Sequence, residues 1–149
     1  MERTLIIVKP DGVQRGLIGN IITRFEQRGL KFVGLKLIQI TPELAEQHYG
    51  VHKGKPFYPG LVKYITSGPV VVGVVEGPKA ISIVRTTMGA TNAAEAIPGT
   101  IRGDYALEIG FNIVHGSDGP ETARQEINLF FKPEELVDYS LATAQWVHE

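Results

Sequence analysis

Residues 112–127, NIVHGSDGPETARQEI, place a histidine at the end of a short apolar run, directly before Gly-Ser-Asp-Gly-Pro and what reads as the first turns of a helix. His115 is one of only four histidines, and Glu126 follows it by eleven residues. On a helix opened by Pro120, Glu126 falls beside the apolar positions Ala123, Ile127 and Phe130 rather than opposite them, so its carboxylate can turn back toward the strand end. A histidine nucleophile needs one ring nitrogen unprotonated and the other held by a hydrogen bond that fixes tautomer and orientation, and a carboxylate supplies that bond. Taken singly, each residue has a plain alternative: a half-exposed loop histidine and a solvated helix glutamate.

Cationic and hydroxylic residues fall at other element ends. Lys9 closes an apolar run at Pro10-Asp11-Gly12, where it is either a snorkelling edge lysine or, paired with His115, a ligand for phosphate or hydroxyl. Arg85 and Thr91 flank the end of a helix-like stretch, and Arg102 lies in a segment without periodicity. Two guanidinium groups and a hydroxyl converging on one point suit a polyphosphate. His48 and His52 stand four apart, but the run HYGVH lacks the glutamate of a zinc hydrolase, and Gly50 breaks the helix that would align both rings. A zinc site is therefore not expected, whereas a magnesium ion held mainly by substrate phosphates needs few protein ligands. Neither a Walker A loop nor a G-x-G-x-x-G turn is present, so phosphoryl transfer needs another route. The RGD at 102–104 is too short a match to imply adhesion.

The elements that must position these residues alternate along the chain. TLIIVK (4–9) reads as a buried strand bounded by a turn triplet. GNIITRFEQRG (19–29) is predicted as a helix capped by Asn20 and stopped by Gly29, and KFVGLKLIQI (31–40) as a strand. TPELAEQHYG (41–50) has Thr41 at the N-cap, Pro42 at the first helical position and Gly50 as its stop. A short helix around YPGLVKYITSG, the apolar strand PVVVGVVEG (69–77) and the helix KAISIVRTTMG (79–89), with Ile81, Val84 and Met88 inward, follow. Residues 89–110 show no periodicity, which marks a functional or disordered segment. FNIVH (111–115) is predicted as the last strand, GPETARQEINLFF (119–131) as the last helix, and the tail as a partly extended wrap. The order predicts an α/β sandwich with helices covering about four strands.

At 149 residues, with 43% hydrophobic and 21% charged residues, the chain is expected to form a single domain, residues 1–149, around one core. With no cysteine it has neither a disulfide framework nor a thiolate metal site, which suits a cytoplasmic location. No apolar run is long enough for a membrane span or signal-peptide core. Residues 1–63 carry ten Lys/Arg against five Asp/Glu, a bias that favours a small anion and falls short of the basic stripe of a nucleic-acid binder.

The motif NIVHGSD resembles the N-x-x-H-G-S-D active-site sequence of the nucleoside diphosphate kinases. The resemblance extends through ERTLIIVKPDGVQRGLIG, GLVKYITSGPVV, PGTIRGD and FFKPEELVDY to essentially the whole chain. It implies a ferredoxin-like fold with a four-stranded antiparallel sheet covered by helices. It also implies transfer of the terminal phosphate of a nucleoside triphosphate to a nucleoside diphosphate by a ping-pong route through phosphorylated His115. Glu126 then falls on the residue that orients the nucleophile and Ser117 on its support. Lys9, Tyr49, Arg85, Thr91, Arg102 and Asn112 match the family's residues around phosphates and sugar, with His52 reaching an inner phosphate. Phe57 and Ile109 resemble the two walls around the base, joined by Leu61, and stacking of that kind tolerates purines and pyrimidines alike.

The resemblance further implies Mg²⁺ as cofactor, held mainly by the substrate phosphates with no direct protein ligand, and a homo-oligomer, the long tail ending WVHE and Trp146 pointing to a hexamer. Ala93 departs from the proline of many relatives, so one rigid φ constraint is absent from the long loop. Two rival readings are a nucleotide-binding or single-strand-binding module without turnover and a phosphohistidine carrier. PVVVGVVEG has no aromatic platform for RNA, which disfavours nucleic acid as the main ligand.

Overall fold

The computed structural model describes residues 1–149. Strands β1 (Glu2–Val8), β2 (Lys31–Ile38), β3 (Val70–Gly77) and β4 (Val114–Gly116) form one sheet in the order β2-β3-β1-β4. All three pairings are antiparallel, β1 with β3 from Glu2↔Gly77 to Val8↔Val71, and β1 with β4 through Ile6↔Gly116, Ile7↔His115 and Val8↔Val114. The fold is a ferredoxin-like α/β sandwich.

Strand β1 is apolar from Leu5 to Val8 because both of its faces are covered there. Ile6 and Val8 pack with Ile21 and Phe25 of α2 (Ile18–Gln27) and with Val84 and Met88 of α5 (Ala80–Met88). Leu5 and Ile7 point the other way, to Ala45 of α3 (Pro42–His48), Ile65 of α4 (Tyr58–Ile65) and Phe130 of α7 (Pro120–Phe130). Alternation along a strand therefore divides four consecutive apolar residues between two cores. A short helix α1 (Pro10–Gln14) follows β1, with Pro10 at its first turn. The inward positions Ile81, Val84 and Met88 of α5 are buried as predicted.

Several element ends differ from the sequence reading. Thr41 does cap α3, its hydroxyl accepting from Leu44 N at 3.1 Å, but the helix ends at His48, two residues before Gly50. Helix α2 starts at Ile18 with Leu17 at the N-cap, so Asn20 lies inside it and its amide instead reaches the Tyr105 hydroxyl at 3.4 Å. Gly29 does follow the helix end with a φ of 101°, a conformation that spares a Cβ.

The segment without periodicity is ordered by tertiary bonds. It holds a 3-10 turn at Ala93–Glu95, where Asn92 Oδ1 accepts from Ala94 N at 3.2 Å, and α6 (Ile101–Tyr105), capped by Thr100 Oγ1 accepting from Gly103 N at 3.0 Å. Arg24 donates to Gly99 O at 3.0 Å and to Asp104 at 2.5 Å, fastening α6 to α2. The tail crosses the outer edge of β2, where Val137 N donates to Val33 O at 2.8 Å and the Tyr139 hydroxyl donates to Phe32 O.

Candidate functional site

His115 lies opposite Ile7 in the β1–β4 register, and Ile7 belongs to the face covered by α3 and α7. The imidazole is thereby directed at α7, where Glu126 is only 8% exposed. His115 Nε2 sits 3.0 and 3.1 Å from the two carboxylate oxygens of Glu126, and the Ser117 hydroxyl donates to Oε1 at 2.6 Å. Burial raises the Glu126 carboxyl, and the bonds from His115 and Ser117 more than offset it, leaving the group below its ordinary range and ionised. An ionised carboxylate only accepts, so Nε2 carries the ring proton and Nδ1 keeps its lone pair.

The strand that carries His115 begins later than FNIVH suggests. Val114 N donates to Asn112 O at 2.7 Å, closing a three-residue turn centred on Ile113, whose φ is 60°. A β-branched residue in that region is strained by about 1–3 kcal/mol. It is pinned there from both sides: Ile113 N donates to Asp11 Oδ2 at 3.2 Å, and Ile113 O accepts from Lys9 N at 2.9 Å. The Tyr64 hydroxyl donates to the other oxygen of Asp11. The turn brings Asn112 next to Lys9, whose ammonium donates to Asn112 Oδ1 at 2.8 Å.

Lys9, Asn112 and Arg102 are all buried. Arg102 donates to Asn112 O at 3.2 Å, Gly89 O at 3.1 Å and Val114 O at 2.6 Å, so its guanidinium ties the long loop to the start of β4. Burial and then the charge of Arg102 lower Lys9 to about 8, and burial and then Arg85 lower Arg102 to about 10. Three mutually repelling cations held together are relieved by a polyanion. Arg85 is exposed and donates to Gly116 O at 3.1 Å, next to His115. The exposed Thr91 joins the cluster through its backbone, its carbonyl accepting from Asn112 Nδ2 at 3.2 Å.

A cavity of about 540 Å³ gathers Tyr49, His52, Arg85, His115 and Glu126 among the predicted residues, together with His48 and Asp118. The remaining predicted residues lie outside its lining. Phe57 and Ile109 are 51% and 60% exposed, on the lip of α4 and on a 3-10 turn at Ile109–Phe111. Those two elements approach through an edge-to-face contact of Tyr64 with Phe111, centroids 5.5 Å apart. Leu61 packs on the core beneath α4, and His52 meets Phe57 edge-on at 5.3 Å. Tyr49 is buried, which pushes its phenol up to about 12 and keeps it a neutral donor.

Sequence reasoning missed where α3's last residue sits. His48 does not pair with His52 across a helix turn; its ring packs at 4.6 Å from Tyr49 and 5.0 Å from His115, beside Glu126. His48, His115 and Glu126 each offer a ligand atom within 4.8 Å of one another. Two of those donors are imidazoles, and the carboxylate already serves His115 and Ser117, so the set does not make an all-oxygen octahedral cage. The surrounding cations instead suit phosphates that bring their own hard divalent ion.

A family model described as Nucleoside diphosphate kinase matches residues 2–136. The chain belongs to the nucleoside diphosphate kinase family. It is 65% identical to the nucleoside diphosphate kinase of Thermomicrobium roseum over 147 residues, with 99% of each chain covered. It is 62% identical over 149 residues to that of Roseiflexus castenholzii, covering each completely. Among solved structures, the halophilic nucleoside diphosphate kinase of Halobacterium salinarum in complex with CDP superposes with a TM-score of 0.97 at 55% identity, 99% of both chains covered. A nucleoside diphosphate kinase family protein of Babesia bovis gives 0.96 at 48% identity, covering 99% of this chain and all of that one. Proteins of this family are phosphotransferases, and the activity their name carries is phosphate transfer between nucleotides.

Proposed function

We propose that this chain moves the terminal phosphate of a nucleoside triphosphate to a nucleoside diphosphate in two half-reactions through phosphorylated His115. The carrying observation is the hydrogen bonding of His115 Nε2 to buried Glu126, 3.0 and 3.1 Å, which leaves Nδ1 as the attacking nitrogen. The Nδ1 lone pair forms the N–P bond, the bond from the terminal phosphorus to the bridging oxygen breaks, and its electron pair leaves with the nucleoside diphosphate. The proton stays on Nε2, and Glu126 stabilises the positive ring that forms. The second half-reaction reverses these bond changes toward a different diphosphate.

Lys9 and Asn112 bind the sugar hydroxyl, which in turn bonds the leaving oxygen. Arg85, Arg102, Thr91 and His52 hold the phosphates, and Tyr49 supports the sugar side. Ser117 steadies Glu126. Phe57, Leu61 and Ile109 sandwich the base by stacking, so base selection is broad; the relative solved with CDP supports pyrimidine acceptance. Mg²⁺ carried on the substrate phosphates, which Arg85, Arg102, Thr91 and His52 would hold, would supply further positive charge against the transferring group. The exposed Leu35 and Leu37 of edge strand β2 and the exposed Trp146 support a homo-oligomer, the hexamer being the form inferred. No helix is long and apolar enough to cross a membrane, and the reading places the enzyme in the cytoplasm.

The deciding experiment is incubation with terminally labelled ATP and Mg²⁺, followed by GDP or CDP. Acid-labile, alkali-stable label that requires His115 and moves promptly to either diphosphate is the expected result. Absence of label favours a binding module; label that stays on the protein favours a carrier.

A further inference from the structure

His48 has no assigned part in the site just described, yet its side chain is almost fully enclosed against it. Its side chain is 2% exposed, and the rings of Tyr49, His115 and Phe130 hold it at centroid distances of 4.6, 5.0 and 5.4 Å. Neither ring nitrogen has a well-directed hydrogen bond, although burying an unpaired imidazole nitrogen costs about 1–3 kcal/mol. Nδ1 lies 3.2 Å from Glu126 Oε2. That oxygen is the less occupied of the two, because Oε1 takes both the Ser117 hydroxyl at 2.6 Å and a share of His115 at 3.0 Å, while Oε2 has only the other share at 3.1 Å.

We propose that His48 is a positioning residue for phosphoryl transfer: as the Nδ1–H tautomer it sets its N–H dipole 3.2 Å from Glu126 Oε2, short of a well-directed hydrogen bond, and adds to the bonds from Ser117 and His115 a third, electrostatic restraint that completes a clamp on the carboxylate. The inference rests on the phosphohistidine reading above. A carboxylate held only by Ser117 and His115 can still rock about its Cγ–Cδ bond, and rocking tilts the imidazole that must present Nδ1 to phosphorus. An N–H dipole 3.2 Å from Oε2 opposes that motion electrostatically. The donor must also be neutral, since a second imidazolium beside His115 would oppose the positive ring formed in the transfer. Burial first, and then His115, lower His48 to about 3, so it meets that condition at physiological pH. The titratable and charged groups facing it are Glu126 from α7, His115 from β4, His52 and Tyr49 after α3, and Lys9 after β1.

Two variants separate positioning from packing. His48→Asn keeps an N–H near the place of Nδ1, whereas His48→Leu fills similar volume without a donor. With terminally labelled ATP, His48→Leu is expected to slow single-turnover formation of phosphohistidine about tenfold, the low end of the loss when the outer partner of a metal-ligating histidine is removed. The KM for ATP should stay unchanged. Its acid limb should move to higher pH, because Glu126 has lost a donor that keeps it ionised, and His48→Asn should restore most of the rate. A His48→Leu protein with wild-type rate and acid limb, or a His48→Asn protein as slow as His48→Leu, overturns the proposal.

A ¹⁵N spectrum of the nucleotide-free protein tests the clamp independently of turnover. His48→Leu should broaden or shift the His115 ring signals and His48→Asn should not. Unchanged signals in both variants sink the clamp even if phosphohistidine forms, whereas normal clamp behaviour with no labelling at His115 sinks the phosphohistidine reading instead.

Discussion

Replacing Lys9 by Met is expected to make the nucleotide-free protein more stable while removing a phosphate-site cation. Lys9 is 8% exposed, and burial, followed by the charge of Arg102, lowers its ammonium from 10.5 to about 8. A shift of that size means the charged form is about 3 kcal/mol less favourable folded than unfolded. Methionine removes that cost and packs beside the Tyr64 ring, which the ammonium faces at 5.4 Å. Against the gain, Asn112 Oδ1 loses its 2.8 Å partner, a loss of about 1–2 kcal/mol. The net expectation at pH 7 is about 1–2 kcal/mol, or a Tm higher by roughly 2–8 °C at fixed protein concentration.

The pH dependence supplies the sharper check. Between about 8 and 10.5 the unfolded chain keeps the Lys9 proton that the folded chain has released, so wild-type stability climbs with pH across that window. Lys9→Met lacks this term, and its advantage should shrink through the window and be gone above it. Added ATP should raise the Tm of the wild type more than that of the variant. A Lys9→Met protein that is less stable at pH 7, or whose difference from wild type is flat between those pH values, refutes the reasoning.

Glu126→Gln should slow His115 phosphorylation by about 10–100-fold with nucleotide affinity held, because the amide no longer stabilises the charged ring; an unchanged single-turnover rate removes Glu126 from its role. Gly116→Ala should destabilise by about 1–3 kcal/mol in chemical denaturation, since a Cβ there meets Met88 Sδ at 2.6 Å and Val84 Cγ1 at 2.8 Å. Phe57→Ala should weaken nucleotide binding about tenfold for purines and pyrimidines alike while leaving Tm within a degree or two, as its ring is half exposed in the free protein; a base-selective loss contradicts the stacking wall.

What the sequence made legible was what local chemistry controls. The Thr41 cap, the apolar runs of β1 and β3, and the inward residues of α5 each follow from neighbours within a few positions. The His115–Glu126 pair was also readable, because strand end and helix edge are joined by a single tight turn. Strand order was not, since β1 pairs with segments more distant in the chain than any periodicity reaches. Asn20 misled because a good capping residue also serves on an exposed helix face, where it found Tyr105. The 89–110 segment hid α6 because its order comes from Arg24, Arg102 and Asp104 rather than from an apolar stripe. The spacing HYGVH speaks only to a metal ligand at His48, and its contact with Glu126 depends on how α3 packs against α7.

The sheet order also governs how the molecule comes into being. Strand β1 leaves the ribosome before both of its partners, which lie at Gly77 and, on the edge that carries His115, at Gly116. Until β4 emerges, one rim of the apolar run Leu5–Val8 carries open backbone donors and acceptors, a template on which another nascent chain can add. A fragment ending before residue 114 would thus be aggregation-prone rather than merely weakened, and the segment that brings His115 is the same one that seals the fold.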